Sequence, residues 1–570
     1  MAIKFIVDLS SAHTHVLKVK MEFPSSGKEE LVMPVWAPGS YLVRDFSRHI
    51  IRYESNGKVT QLSKNRWSLE TSETVAEFYY EIYSDELTVE TSYADQSVIL
   101  INGTSLFFYL EGRKEEEISV KFSNVGDKKI STGLPDRNVE FIAENYDQLA
   151  DSPFLIGSQK IMEFDAMNRK HIIAWSGNLP RDEERIIDDF KKIVTEEGKI
   201  FGELPYNKYV FMIITVPDEY YGGLEHKNST VILHNEQKSI DEFGYKLFLT
   251  TVSHEFFHTW NVKRIRPVEL GPFDYTKEVY TKLLWLSEGF TSYYEWVVLW
   301  RSGIVSEQEY FDHLGKMIDF YELQPGHRNI SADASSFNTW IKLYKPDGDA
   351  MNSYISYYLK GELVAFALNC EIMKCTNDQR SLDDLFRSLY NEYKRTGKGI
   401  EKADLIEHAR KVSCDGIGKI VTKLTESTED IEFEKYLKYL GYRVDKVLPE
   451  KREKARGFLG LTFQTNGGKT VVRSSIKGYP AYEAGVVPGD EIIAINGERF
   501  TDTFTREMSK EIWRVKLDDL KKTSPGDRVN LFIFRMNRLL ELGMTAAEEL
   551  RERALVKENE SKAKDKLMKG

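Results

Sequence analysis

Cysteine is scarce in this chain, and long apolar runs are missing. Three cysteines, Cys370, Cys375 and Cys414, occur in 570 residues. Their number and spacing give neither a disulfide framework nor a zinc-finger pattern, so buried apolar packing in a reducing compartment is the expected role of all three. No stretch of about 18 apolar residues occurs, which argues against a membrane span and a membrane partner. The opening residues, MAIKFIVDLSSAHTH, alternate like a strand and contain no apolar core of a secretion signal, so a cytoplasmic location is expected. Positive charge is in deficit: 78 Lys and Arg face 89 Asp and Glu, for a formal net charge of -11. That balance argues against nucleic acid as a partner, although it leaves room for a local basic patch.

Apolar and aromatic side chains are plentiful: 41% of residues are hydrophobic, with 30 Tyr and 31 Phe. At roughly 150 residues per domain, the length suits three to five domains. Residues 1–160 read as an N-terminal antiparallel β domain, with alternating runs such as HVLKVKMEF and AEFYYEIYS between turns such as SSGKE and APGS. Residues 161–445 begin with the strands HIIAWS, YVFMIITV and STVILH, then turn helical from KLFLTTVSHEFFHTW through EKADLIEHARKV. The charged segment PEKREKARG marks a boundary, after which 457–545 returns to short strands and glycine turns. Residues 546–570 are rich in Lys and Glu and predict a charged helical or disordered tail. The expected fold class is multidomain α+β.

The chemistry centres on His254-Glu255-Phe256-Phe257-His258. Histidines at this spacing share one face of a helix and suit zinc, provided each second ring nitrogen is held by an acceptor. Glu255, next to the first histidine, is placed to act as general base. The plain alternative is a helix with two partly buried histidines and a surface glutamate. The flanking FLTTVS and FFHTW point instead to a partly buried helix, where unpaired polar groups would be costly. A catalytic zinc usually keeps three protein ligands. Glu288, inside the apolar run TKLLWLSEGFTSYYEW, is the best third candidate, because a lone buried carboxylate needs a charge partner. Glu278 and Glu295 compete with it, Glu295 better as a support for the ligands; Glu269 and Asp274, in an apparent loop, are weaker. The basic run Lys263, Arg264 and Arg266 reads either as a solvated face or as help for substrate carboxylates or for the ligands.

From about residue 30 to 545 the sequence resembles the M61 glycyl aminopeptidase family of gluzincin metallopeptidases. HEFFHTWNVKRIRP at 254–267 and WLSEGFTSYYE at 285–295 look like its signatures. The resemblance implies a thermolysin-like mixed α/β catalytic domain with a helical C-terminal part. It implies one zinc ion per chain on His254, His258 and Glu288, with Glu255 as general base and acid. The implied activity is removal of the first residue from peptides with a free N-terminus, with a leaning towards Gly or Ala. YGGLEH at 221–226 is similar to the segment that holds the substrate amino terminus, so Gly222 and Gly223 would line the bound backbone and Glu225 would accept the α-ammonium. SYYLKGELVAFAL at 356–368 resembles the segment with the catalytic tyrosine, which implies that Tyr358 donates to the developing oxyanion. Tyr354 and Tyr357 are its rivals. MPVWAPGSYLVRDFSRHI, AENYDQLADSPFLIG and SFNTWIKLYKPD also look familiar but suggest no chemistry.

Residues 457–545 resemble a PDZ domain, with GFLGL at 457–461 in the position of the carboxylate-binding loop. Backbone N–H groups around Gly457, Phe458, Leu459 and Gly460 would then receive a peptide C-terminus, the peptide adding as an edge strand. A purely structural β module fits the same pattern. Two other readings of the whole chain stand beside the aminopeptidase: a zinc endopeptidase, and a PDZ-bearing peptide-binding protein with a degenerate peptidase domain. The complete set of His254, Glu255, His258, Glu288 and Tyr358 argues against the second.

Overall fold

The structure, a computed structural model, describes residues 3–217, 222–509 and 515–570. Backbone packing divides the chain into two units, Met1–Thr281 with Phe386–Glu401, and Lys282–Leu385 with Lys402–Gly570.

The first unit begins with β structure. Ile3–Asp8 and Val16–Pro24 bury every second side chain, as a half-buried strand must. They pair antiparallel, Phe5 opposite Met21, within a seven-stranded sheet. The sheet is not wholly antiparallel as expected: Ile3–Asp8 also runs parallel to Ile118–Ser123, which returns to it after two intervening four-stranded sheets have been started. Aromatic rings fill the core, Phe108 meeting Phe78 and Tyr80 edge to face at 5.3 and 4.9 Å.

A five-stranded sheet follows, built from β1 (Lys160–Ala166), β2 (Arg169–Ser176), β3 (Lys208–Val216), β4 (Gly222–Glu225) and β5 (Ser229–Asn235) in the order β1-β2-β3-β5-β4. Strands β2, β3 and β5 are parallel, whereas the edges β1 and β4 are antiparallel. Helix α1 (Glu183–Phe201) makes the crossover from β2 to β3 that parallel pairing demands. It is capped by Asp182, whose side chain accepts from the Arg185 N–H, and it buries Ile186, Phe190, Ile193 and Val194 on one face. Helix α2 (Glu242–Phe257) starts in the same way, Asp241 accepting from the Gly244 N–H at 2.7 Å. It is buried almost all round, which explains its weak amphipathic pattern.

The second unit is helical at first. Helices α3 (Phe290–Arg301), α4 (Glu307–Leu323) and α5 (Tyr357–Cys375) supply its main packing, and Ser306 with Glu309 forms a capping box at the start of α4. The small PDZ-like sheet includes β6 (Leu461–Asn466) and β7 (Val515–Asp518). Residues 546–570, expected as a charged helical or disordered tail, hold a helix but also a strand. Glu552–Lys557 pairs antiparallel with Tyr442–Val447, and the helix Lys562–Lys569 buries Ala563 and Leu567. Few apolar residues suffice there because they fall on one face. The cysteines also depart from expectation. Cys370 is buried, but half-buried Cys375 and Cys414 form a disulfide with Cα atoms 5.8 Å apart, because the end of α5 meets the turn after the helix Lys402–Val412. Among the described residues no helix is long and apolar enough to cross a membrane.

Two buried histidines make the first unit sensitive to acid. His171 on β2 and His234 on β5 are held neutral by burial, which pushes each down to about 4. The unfolded chain takes up these protons below about pH 6.5, so the stabilisation they permit is full above that pH and falls as pH drops towards 4. The expected loss is about 2 kcal/mol per histidine at pH 5. Urea unfolding between pH 7 and 5 measures it, and His171→Gln should remove one share of the slope; an unchanged slope in that variant contradicts the assignment.

Candidate metal centre

Helix α2 delivers His254 and Glu255 in its last turn, and His258 follows as its C-terminal cap. The two imidazoles stand with centroids 4.7 Å apart and planes at 81°. The His258 Nδ1–H donates to the Asn261 carbonyl at 2.5 Å. That bond fixes the tautomer and leaves Nε2 as the ligand atom. Trp260 anchors the chain beyond the helix by stacking on Phe201 at 4.4 Å.

Glu288 is presented by an unusual turn. Trp285–Gly289 is π-helical and runs directly into α3. Such a wide turn shifts side chains out of ordinary helical register and occurs often at functional sites. The Trp285 indole N–H donates to Asp333 at 3.0 Å and its backbone N–H to the Ser336 hydroxyl at 3.0 Å. Helix α5 crosses this turn so closely that a side chain at Gly361 would lie 2.5 Å from the Trp285 carbonyl oxygen.

Ligand atoms of His254, His258 and Glu288 all lie within 4.8 Å of one another. Two imidazoles and one carboxylate are the donor set of a catalytic zinc with a position left open, and bonds of about 2 Å suit that triangle. The histidine tautomer and the burial of Glu288 both fit the ion. Among the described residues, Glu269, Asp274, Glu278 and Glu295 stand outside this group. Glu295 is buried, Glu278 is half-exposed, and Glu269 accepts from the Thr281 hydroxyl at 3.2 Å.

A second cluster overlaps the first: carboxylate oxygens of Glu225 and Glu255 and a ring nitrogen of His258 also lie within 4.8 Å of one another. Glu225 ends the edge strand β4 and is buried. Gly223 on that strand packs against the Glu255 carboxylate so tightly that any side chain there would overlap it. Tyr221 of the YGGLEH segment lies outside the described residues. The basic run beside the motif is not a solvated face. Lys263 is half-buried, with its ammonium 2.9 Å from Asp151 and 3.6 Å from Glu225. Arg264 is buried and donates to the Pro205 carbonyl at 2.9 Å, while Arg266 donates to the Leu270 carbonyl at 3.0 Å. Burial alone would raise the Asp151 carboxyl, but the Lys263 charge and the His226 ring outweigh it and hold the group well below the usual carboxylate range.

Tyr358 lies in the first turn of α5, its backbone N–H donating to the Ser356 cap at 3.2 Å, and it is half-buried. The rivals are committed elsewhere. Buried Tyr357 accepts from the Thr339 hydroxyl at 3.1 Å, and buried Tyr354 donates to the Ser335 carbonyl at 3.4 Å. In the PDZ-like loop, Gly457 N–H donates to Thr523 and Phe458 pairs with Ala547. The N–H groups of Leu459 and Gly460 both donate to the Asp518 carboxylate.

Sequence reading passed over Asp151 and Glu197. Asp151 sits in AENYDQLADSPFLIG, far along the chain from Lys263, with no local signal. Glu197 left one: it continues the apolar stripe Phe190, Ile193, Phe201 of α1, where a carboxylate is out of place. It is fully buried and accepts from the Ser253 hydroxyl at 2.7 Å, one residue before the first histidine.

Residues 4–158 match the peptidase M61 N-terminal domain, residues 247–364 the M61 glycyl aminopeptidase family, and residues 471–506 a PDZ domain. The crystal structure of an aminopeptidase N family protein from Idiomarina loihiensis is 32% identical, covering 99% of this chain and 99% of that chain with a TM-score of 0.91. More distantly, an M1 zinc metallopeptidase from Deinococcus radiodurans is 12% identical over 75% of this chain and 94% of that chain, with a TM-score of 0.45. No curated protein matches the chain by sequence.

Elemental analysis of purified protein should find one zinc per chain. Glu288→Ala and His258→Ala should each cut metal affinity at least about tenfold. Gly361→Val, which touches no ligand, should do the same by forcing α5 off the Trp285–Gly289 turn; full zinc retention in this variant would show that the crossing does not position Glu288.

Proposed function

The chain belongs to the M61 peptidase family, and from that membership we propose a division of labour within its zinc-dependent aminopeptidase site. The observation that carries the reading is the nearness of Glu225, a carboxylate oxygen of which lies within 4.8 Å of a ring nitrogen of His258 and of a Glu255 carboxylate oxygen. That leaves room for a single residue between the anchored amino terminus and the bond to be cut.

His254, His258 and Glu288 would hold the zinc, which would supply a Lewis acid for the attacking water and the scissile carbonyl. Glu255 takes the proton of the attacking water on a carboxylate oxygen and passes it to the leaving amine nitrogen. Gly223, by packing on that carboxylate, sets its position. Tyr358 donates its phenolic proton to the carbonyl oxygen as negative charge grows there. Gly222 and Gly223, on an edge strand, line the substrate backbone. Glu225 accepts the α-ammonium. Charge supports this role: Lys263 answers only one of the carboxylates Glu225 and Asp151, and Glu255 adds another nearby, so negative charge is left to suit an ammonium. A side chain at Gly39 would lie 2.7 Å from a Glu225 oxygen, so backbone walls off the space beyond the amino terminus. A preference for Gly or other small first residues follows the family description. A cytoplasmic location is the accompanying proposal, in which case the Cys375–Cys414 pair would be open in the reducing interior.

Hydrolysis of glycyl and alanyl peptides, free or N-acetylated, tests the reading. Free peptides should be cleaved and acetylated ones spared; efficient cleavage of the acetylated set would sink the exopeptidase assignment. Glu255→Gln should lower kcat roughly 10²–10⁴-fold while zinc stays bound. Tyr358→Phe should lower kcat roughly 10²–10³-fold. Glu225→Gln should act mainly by raising KM.

A further inference from the structure

The loop expected to receive a peptide C-terminus already holds a carboxylate. Three successive N–H groups converge on Asp518: Leu459 at 2.6 Å, Gly460 at 3.1 Å and Leu461 at 2.9 Å. Such a nest of amides is an anion site, and it needs one residue of left-handed conformation to turn the peptides inward. Gly460, with φ of 80°, is that residue. Asp518 is buried, yet among the described residues no lysine or arginine forms an ion pair with it. The nearby Arg456 bonds both oxygens of the next residue, Asp519, at 2.7 and 2.8 Å. The negative charge of Asp518 therefore rests on backbone amides, as a bound peptide terminus would.

The segment leading to Asp518 completes the likeness. Strand β7 lies antiparallel on β6, Leu517 opposite Thr462 and Lys516 opposite Phe463. Leu517 is fully buried, in the manner of an anchoring side chain. Strand addition beside the loop, an apolar anchor and a carboxylate in the nest are the three elements of recognition by strand addition.

We propose that Asp518 is the built-in ligand of the PDZ-like loop, with β7 standing where the strand of an outside peptide would add. The partner of this surface is the chain's own 515–518 segment, and an outside C-terminus gains the loop only by displacing it.

Hydrogen exchange at residues 457–463, followed by mass spectrometry, tests this on the full chain. Wild type should be protected without any added ligand and unaffected by sodium acetate. Asp518→Ala should exchange at least about tenfold faster, since each lost charge-assisted bond is worth that much. Acetate in excess should slow exchange in D518A, whereas sodium chloride at equal ionic strength should not. Fast exchange in wild type overturns the proposal, as does full protection in D518A without anion. A folded D518A that ignores acetate overturns it too. Should D518A fail to fold, Asp518→Asn keeps the shape and removes the charge: faster exchange supports the proposal and unchanged protection overturns it.

Discussion

Negative charge taken out of water must be answered on the spot, and much of this structure is arranged around that requirement. Glu225, Glu255 and Glu288 are 4%, 6% and 2% exposed. An isolated carboxylate at such depth costs several kcal/mol. Three different answers are in place. An ammonium, Lys263, sits between Asp151 and Glu225. A metal site with two imidazoles stands beside Glu288. Backbone dipoles meet Asp518. Away from the site the ordinary answer recurs: buried Asp383 meets the Arg301 guanidinium at 2.7 Å.

Those answers work only if backbone can come close. Edge strand β4 reaches the Glu255 carboxylate at a residue with no side chain, Gly223, and α5 reaches the Trp285–Gly289 turn at Gly361. At both places a methyl group would occupy space already filled. The proposed general base Glu255 and the turn that carries Glu288 are thus held by main chain that cannot swing, rather than by long side chains that must be ordered one by one.

The candidate zinc cluster was legible because local rules carry it. Two histidines at a helical spacing and a carboxylate in an apolar run are visible within a few residues. The three central strands of the five-stranded sheet, β2, β3 and β5, were legible for the same reason, whereas the edge strands β1 and β4 were not read. What could not be read depends on partners distant in sequence: Asp151 is 112 positions from Lys263, and Asp518 is 59 from Leu459. The π-helical form of Trp285–Gly289 carries no compositional mark. The C-terminal segment misled because charge was counted without its periodicity. ERALVK holds a short apolar run, Ala554 to Val556, that pairs with Tyr442–Val447, and the partner strand supplies what its own composition lacks.

That last pairing has a consequence for the PDZ-like module. The chain leaves for the module along Tyr442–Val447 and comes back along Glu552–Lys557, with Val444 opposite Leu555. The module is an insertion grown from the tip of a two-stranded ribbon, not a bead hung on the end of the chain. Both of its attachments are hydrogen-bonded to each other, so the ribbon limits twisting and sliding in a way that a single linker does not. Cutting the chain after residue 447 would strip one rail of the ribbon and remove the helix that buries Leu567. Clean removal is an excision that rejoins the two rails.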